Sequence, residues 1–188
     1  LDNPCLAHLQ DNNLPVIAIY ILDVIEKDSL GKASLWWLQQ TLKKLKSDYK
    51  QKFNLDLIIL EGDAFKILDQ FIEKYQIKEV VWNRLYSKQT ILRDSSIKKI
   101  LEQKEIIVTS FNSHLLNEPW EIKNNSGEYF KVFTPYWKNS YPFFLEKNYT
   151  YPQIKKIIPL NHQEKFKEFN FLPSKKWYEK FEQYWVPG

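Results

Sequence analysis

Four short apolar runs constrain this chain most: residues 16–22, 57–60, 80–82 and 106–111, each bounded by polar or turn-forming residues. Their apolar character is nearly continuous rather than alternating. A strand of that kind is covered on both faces, which is the pattern of a parallel sheet. Helical stretches separate the runs. Residues 32–52 place Leu35, Leu38, Leu42, Leu45 and Tyr49 on one stripe, with Lys43, Lys44 and Lys46 turned outward. Asp63 is placed to cap a helix whose buried stripe is Phe65, Leu68, Ile72 and Tyr75. A third helix, over residues 88–104, carries Ile97, Ile100 and Leu101. At the start, Asn3-Pro4 reads as an N-cap followed by proline at the first helical position, opening a short helix to about Asp11. Helices and strands that alternate four times predict an α/β fold: a doubly wound, Rossmann-like parallel sheet with helices on both faces.

The first strand of such a sheet lies in its middle, yet this chain opens with a helix and contains no methionine. The expectation is therefore truncation on the amino-terminal side, with the first central strand missing. Runs 16–22 and 80–82 would then face a gap about two strand spacings wide, roughly 9–10 Å. Either some ten residues upstream fill it, or the two strands close up and pair directly. Past residue 111 the character changes. Residues 115–132 are turn-rich, with Asn124-Asn125-Ser126-Gly127 as a loop tip, and Pro135 starts a short aromatic helix over 136–147. Residues 148–174 carry prolines and lysines without a period and read as an extended, poorly packed connector; 177–185 close with a helical turn or two. The division is thus an α/β domain over 1–147 and a connector over 148–188.

Composition excludes several classes. With Cys5 as the only cysteine there is no disulfide framework, and His8, His114 and His162 are too scattered for a zinc cluster. Four glycines without a GxGxxG or GxxxxGKS pattern argue against a phosphate-binding loop. No window nears the roughly 18 consecutive apolar residues of a membrane helix. Neither a GxSxG elbow nor a paired set of carboxylates is present, and His114 has no nucleophile to activate. The chain shows no catalytic centre of its own. Aromatic content is 16%, which serves a core and an interface, or else flat side chains that meet a pigment or bases. A net charge of +4, mostly from lysine, mildly suits a polyanionic partner.

Two stretches carry chemistry. In Lys32-Ala33-Ser34-Leu35-Trp36-Trp37-Leu38 the two tryptophans point about 100° apart on a helix, so only one enters the core. The first-turn N–H groups near Ala33 and Ser34 suit an anion, unless the helix is capped by its own side chains. In Trp82-Asn83-Arg84-Leu85-Tyr86, Asn83 falls at the carboxyl end of a strand, the edge where open α/β sheets bind ligands. Arg84 and Tyr86 follow in the loop, and Arg93-Asp94 lies on the next helix. Adjacent helical residues do not face each other, so these two are expected to pair with other groups. A structural salt-bridge network is the alternative use of the same charges.

With these residues in view, the chain resembles the amino-terminal α/β domain of the DNA photolyase/cryptochrome family. The likeness runs in order through Leu1-Asp2-Asn3-Pro4, Gly31 to Leu38, Glu61-Gly62-Asp63 and Trp82 to Tyr86 with Arg93-Asp94. It continues through Ser110-Phe111-Asn112 to Glu118-Pro119-Trp120, and Phe130 to Trp137. The resemblance implies a domain that holds an antenna pigment (deazaflavin, flavin or folate) and passes excitation to FAD. That FAD would sit in a separate helical domain following residue 188, where reduced flavin gives an electron to a cyclobutane pyrimidine dimer and splits it. The implied parent is a cytoplasmic deoxyribodipyrimidine photolyase that meets damaged DNA and no membrane. The alternatives are a cryptochrome-type blue-light signalling protein, or a pigment-free α/β nucleotide-binding or interaction module. Gln89-Thr90 stands where folate-type members carry a carboxylate, so folate is the least favoured pigment. Leu35 replaces a family-typical arginine, which implies a weaker anion contact. The cofactor-binding residues expected at the carboxyl edge are Asp23, Ala33, Ser34, Asn83, Arg84, Tyr86, Arg93 and Asp94; no catalytic or metal-binding residue is expected. The aromatics Tyr136, Trp137, Tyr141, Phe143, Phe144, Trp177, Tyr178, Phe181, Tyr184 and Trp185 are the expected contact face for the helical domain.

Overall fold

The computed structural model describes residues 2–112, 114–146, 153–162, 166, 168–172, 175–181 and 184–185. Helix α1 (Pro4–Asp11) starts as expected, with the Asn3 side chain accepting from the Cys5 amide. The first apolar run divides at Ile17 into β1 (Pro15–Val16) and β2 (Ala18–Leu22). Then follow α2 (Val24–Ser29), α3 (Lys32–Phe53), β3 (Leu57–Glu61), α4 (Ala64–Tyr75), β4 (Glu79–Asn83), α5 (Lys88–Gln103) and β5 (Ile107–Phe111). Asp63 caps α4 and Ser87 caps α5, each accepting from an amide three residues on. Such caps contribute on the order of 1 kcal/mol each. Between β3 and α4, Gly62 adopts φ 145°, a conformation that L side chains rarely take, and its N–H reaches the Leu22 carbonyl at 3.1 Å.

All strand pairs are parallel, which fixes the α/β class. β2 pairs with β3 in register Ala18↔Leu57 through Leu22↔Glu61, and β4 pairs with β5 from Glu79↔Ile107 to Asn83↔Phe111. β2 and β4 do not close up and pair. Side chains alternate between two cores. On one face Leu22, Leu57 and Ile59 pack with Leu6 of α1 and Leu42, Tyr49 and Phe53 of α3. On the other, Ile21, Val80 and Val108 pack with Ala64 and Ile72 of α4 and Ile97 and Leu101 of α5. Helices therefore cover both faces, as a doubly wound sheet requires.

The later segments differ from expectation in one respect. Residues 115–132 are turn structure, and the Gly127 amide closes the loop tip on the Asn124 carbonyl at 2.9 Å. Helix α6 (Phe133–Glu146) is aromatic and starts three residues before the predicted boundary; Lys147 and residues 148–152 lie outside the described residues. The described part of the expected loose connector is instead docked. β6 (Ile158–Pro159) pairs with β1, and Ile157 and Phe171 enter the α1/α3 core. Buried Gln39 of α3 accepts from the Phe171 amide at 2.5 Å, while Gln10 of α1 accepts from the amides of Lys155 and Lys156. The absent period in the sequence reflects a segment that packs through single anchors. The last described element is a 3-10 turn, Trp177–Lys180.

Candidate functional site: a crevice at the carboxyl edge of the sheet

Beyond the carboxyl ends of β2 and β4 lies an open cavity of about 430 Å³. Tyr20 of β2 forms its floor, and Ile25, Glu26 and Ser29 of α2 form one wall. Leu30, Ser34 and Leu38 come from the start of α3, and Leu85, Tyr86, Ser87, Gln89 and Thr90 come from the β4–α5 connection. The wall α2 exists because Asp23 ends β2 with a side chain that caps it: Oδ1 accepts from the Ile25 amide at 3.0 Å. The same carboxylate ties α4 down, Oδ2 accepting from the Ala64 amide at 3.0 Å.

Glu26 is the one charged residue lining the crevice. Its carboxylate lies 3.6 Å from Arg93 Nη1. Burial pushes the Tyr20 phenol up to about 12, helped by the Glu26 charge and opposed by Arg93, so Tyr20 is a neutral hydroxyl at ordinary pH. Thr90 is buried and its hydroxyl donates to the Ser87 carbonyl at 3.0 Å. What remains is an apolar box with a few neutral hydrogen-bonding groups at its rim. That chemistry suits an uncharged ring system better than a phosphate or carboxylate.

Of the eight residues expected here, Ser34 and Tyr86 line the cavity. Ala33 is exposed in the first turn of α3 and is not among the lining residues. That turn has no side-chain cap, since Gly31 is its N-cap, so the self-capped alternative does not hold. Asn83 turns toward α1, accepting from Cys5 Sγ at 3.0 Å and donating to Asn3 Oδ1 at 3.3 Å. Arg84 is clamped by Glu118: Nε to Oε1 is 2.6 Å and Nη2 to Oε2 is 2.9 Å. Arg84 Nη1 also donates to the carbonyl and hydroxyl of Ser110. Tyr86 gives its hydroxyl to the same Glu118 at 2.6 Å and packs its ring edge-on to His114. Burial lowers the Arg84 pKa, but the bonds to Glu118 and Tyr86 outweigh it, so the guanidinium is held more firmly protonated than usual.

Arg93 and Asp94 do pair with one another, Nε to Oδ1 at 2.8 Å, contrary to expectation. The rule for helix neighbours concerns side chains lying along the axis. Here the guanidinium folds back because Asp23, 3.8 Å away, and Glu26 draw it toward the end of β2. The charges thus serve the structural network that was the alternative reading. Sequence reasoning missed Tyr20, Glu26 and Leu85. Tyr20 belongs to a strand that reads as core, and Glu26 belongs to a helix of six residues, too short to leave a periodic signal. Glu118 was visible within Glu118-Pro119-Trp120, but nothing in sequence joins it to Arg84, 34 residues away. Among the described residues, no group of three or more His, Cys, Asp or Glu side chains is placed to hold a metal ion. No described helix is long and apolar enough to cross a membrane.

The DNA photolyase family profile matches residues 1–153. The chain belongs to that family. A deoxyribodipyrimidine photo-lyase from Agrobacterium fabrum is 32% identical over 195 aligned residues, covering 100% of this chain and 39% of that protein. Cryptochrome-1 of Arabidopsis thaliana is 31% identical over 84% of this chain and 23% of its own length. Among solved structures, a class III photolyase from Agrobacterium tumefaciens superposes with a TM-score of 0.85 at 29% identity, again over 100% of this chain and 39% of the other. In these relatives the photolyase fold seen here is the amino-terminal α/β part of a longer protein, and this chain spans well under half of their length.

Proposed function

We propose that residues 1–188 form the light-harvesting and scaffold portion of a deoxyribodipyrimidine photolyase, acting in light-dependent repair of cyclobutane pyrimidine dimers. The observation that carries the reading is the largely apolar, ring-sized crevice, its one carboxylate paired with Arg93, at the carboxyl edge of a photolyase-family sheet. Its occupant is an antenna pigment of flavin or deazaflavin type. Folate is disfavoured, because Gln89 and Thr90 offer no carboxylate and Glu26 is already engaged by Arg93. When bound, the pigment supplies absorption of visible light. The protein's task is to hold a flat ring between Tyr20 and Tyr86, exclude water with Ile25, Leu38 and Leu85, and offer Ser34 and Gln89 as hydrogen-bonding groups.

FAD and the damaged DNA belong to a helical domain outside these residues. Helix α6 supports that partner. Phe133, Trp137 and Tyr141 succeed one another at ring distances of 6.2 and 5.1 Å, and all three are exposed. An exposed aromatic row of this length marks a contact surface. Tyr178 is the one of the expected ten contact aromatics that is buried in this chain, while Trp137, Tyr141, Phe143, Phe181, Tyr184 and Trp185 are open to solvent.

Titration with riboflavin, a deazaflavin and methenyltetrahydrofolate, followed by ligand fluorescence, tests the pigment reading. Leu38→Trp fills the crevice and is expected to weaken flavin or deazaflavin binding at least about tenfold. Equal affinity of Leu38→Trp and the parent chain would overturn the crevice as the binding place. Preference for the folate would overturn the pigment class.

A further inference from the structure

The positive charge of this chain is concentrated on one helix. The chain has 27 lysines and arginines against 23 aspartates and glutamates, and six lysines and one aspartate of these belong to α3. The rest of the chain is left with 21 basic and 22 acidic residues, close to neutral. Within α3 the charge is again uneven. Lys32 stands at its start, whereas Lys43, Lys44, Lys46, Lys50 and Lys52 crowd its carboxyl half, all exposed.

Lys43, Lys46 and Lys50 follow at i, i+3 and i+7, within about 60° of one another on a stripe about 10 Å long. Like charges at these spacings repel and weaken a helix. Lys50 and Lys52 in the last turn suit the helix dipole, but Lys43 and Lys46 lie too far from the end to gain from it. Asp48 pairs with Lys44 at 2.5 Å and Asp56 with Lys50 at 3.0 Å. Lys43, Lys46 and Lys52 pair with no carboxylate among the described residues.

The surroundings of the stripe select the partner. No large apolar side chain between Trp37 and Leu85 is exposed. A helix that lies on a membrane puts its apolar face into the lipid, and that face of α3 is already packed in the core through Leu42, Tyr49 and Phe53. A protein partner needs aromatic or arginine anchors, and a single strand needs rings on which bases stack. The stripe offers neither. It offers flexible point charges, which suit phosphates spaced along a rigid rod.

We propose that the outer face of α3 holds the phosphate backbone of a nucleic-acid duplex, without regard to sequence, through Lys43, Lys46 and Lys50. A duplex presents one charge per about 1.7 Å of axis, roughly six along this stripe. The surface is distinct from the crevice, which takes only Ser34 and Leu38 from α3, and it does not rest on the pigment reading.

The test titrates a fluorescent, undamaged 24-base-pair DNA duplex with the 188-residue chain and reads anisotropy between about 50 and 200 mM salt. Weak binding is expected, its logarithm falling with log salt at a slope of about −3. Lys43→Gln, Lys46→Gln and Lys50→Gln together keep helix propensity. They are expected to weaken binding at least about tenfold at the lowest salt and to flatten the slope by about three. A control makes the same charge change elsewhere: Lys66→Gln, Lys99→Gln and Lys131→Gln, all exposed, on α4, α5 and the 115–132 turn region. It is expected to stay within about threefold of the parent chain. Equal losses in the two triple variants would reduce the effect to net charge and overturn the proposal. So would absence of binding, unchanged binding by the α3 variant, or tighter binding to the single strand or to phosphatidylserine vesicles.

Discussion

Arg84 and Glu118 meet side by side, with two parallel N–H···O bonds of 2.6 and 2.9 Å, so the cation nearest the strand edge is spent on fastening a loop. Glu118 also receives the Tyr86 hydroxyl and sits at 9% exposure. The pair therefore holds the 114–121 turn region against the loop that forms one wall of the crevice.

Arg84→Ala strands a nearly buried carboxylate. A fully buried pair broken in this way costs about 3–5 kcal/mol; water reaches part of Arg84, so about 2–3 kcal/mol is expected here. Arg84→Lys keeps the charge but loses the fork, and falls between. Urea unfolding measures both. Variants within 0.5 kcal/mol of the parent, roughly the noise of a neutral surface change, would show that the clamp is dispensable.

Asp23 joins three elements through one carboxylate. Asp23→Ala removes the cap of α2 and the acceptor for the Ala64 amide, and leaves Arg93 with fewer partners. A loss of about 3 kcal/mol is expected, against about 1 kcal/mol for Asp23→Asn, which keeps one acceptor oxygen. Because α2 carries Ile25, Glu26 and Ser29, Asp23→Ala is also expected to weaken flavin or deazaflavin binding. Retained affinity in a folded Asp23→Ala variant would separate α2 from the site.

Alkaline pH destabilises this chain through one buried and one half-buried acid. Burial raises the Cys5 thiol from 9.0 to about 12, and raises the Tyr20 phenol from 10.0 to about 12. The unfolded chain loses these protons first. Between about pH 9 and 12 it binds fewer protons than the folded chain, so stability is full below pH 9 and falls as pH rises. At pH 10.5 the Cys5 contribution alone amounts to about 2 kcal/mol. Denaturant unfolding at pH 8 and 10.5 should show a smaller loss in Cys5→Ala than in the parent chain; identical losses would contradict the assignment.

No light-dependent repair is expected from residues 1–188 alone. Splitting a pyrimidine dimer needs an electron from a held flavin, and the proposed function assigns that flavin to a helical domain outside residues 1–188. Blue light, added reduced FAD and a dimer-containing oligonucleotide provide the assay. Restored thymine absorbance would place the chemistry in this chain.

The aromatic row on α6 predicts self-association of the chain in isolation. Trp137→Lys with Tyr141→Lys, both more than 40% exposed, should cut binding of a hydrophobic dye and shift sedimentation toward the monomer with little change in stability. Unchanged sedimentation would take that face out of any interface.

The sequence by itself determined the local and periodic features. The caps Asn3 and Asp63, the stripe through Leu42 and Tyr49, and the parallel-sheet runs depend on neighbours within a turn or two, and the structure has them where those neighbours put them. Family membership was legible as well, since the motifs stand in order along the chain. Tertiary structure alone decided which polar groups are free. Arg84 and Arg93 read as ligand contacts because sequence places them at the strand edge, but their partners Glu118, Asp23 and Glu26 arrive from other elements. Tyr20 read as core and became the floor of the crevice, and the 148–174 segment read as loose, yet its described part is docked through Ile157 and Phe171. The physical reason is range. Helix and strand periods record which face of an element is apolar, whereas a charge pairs with whatever the fold brings within about 4 Å, and that distance has no counterpart along the chain.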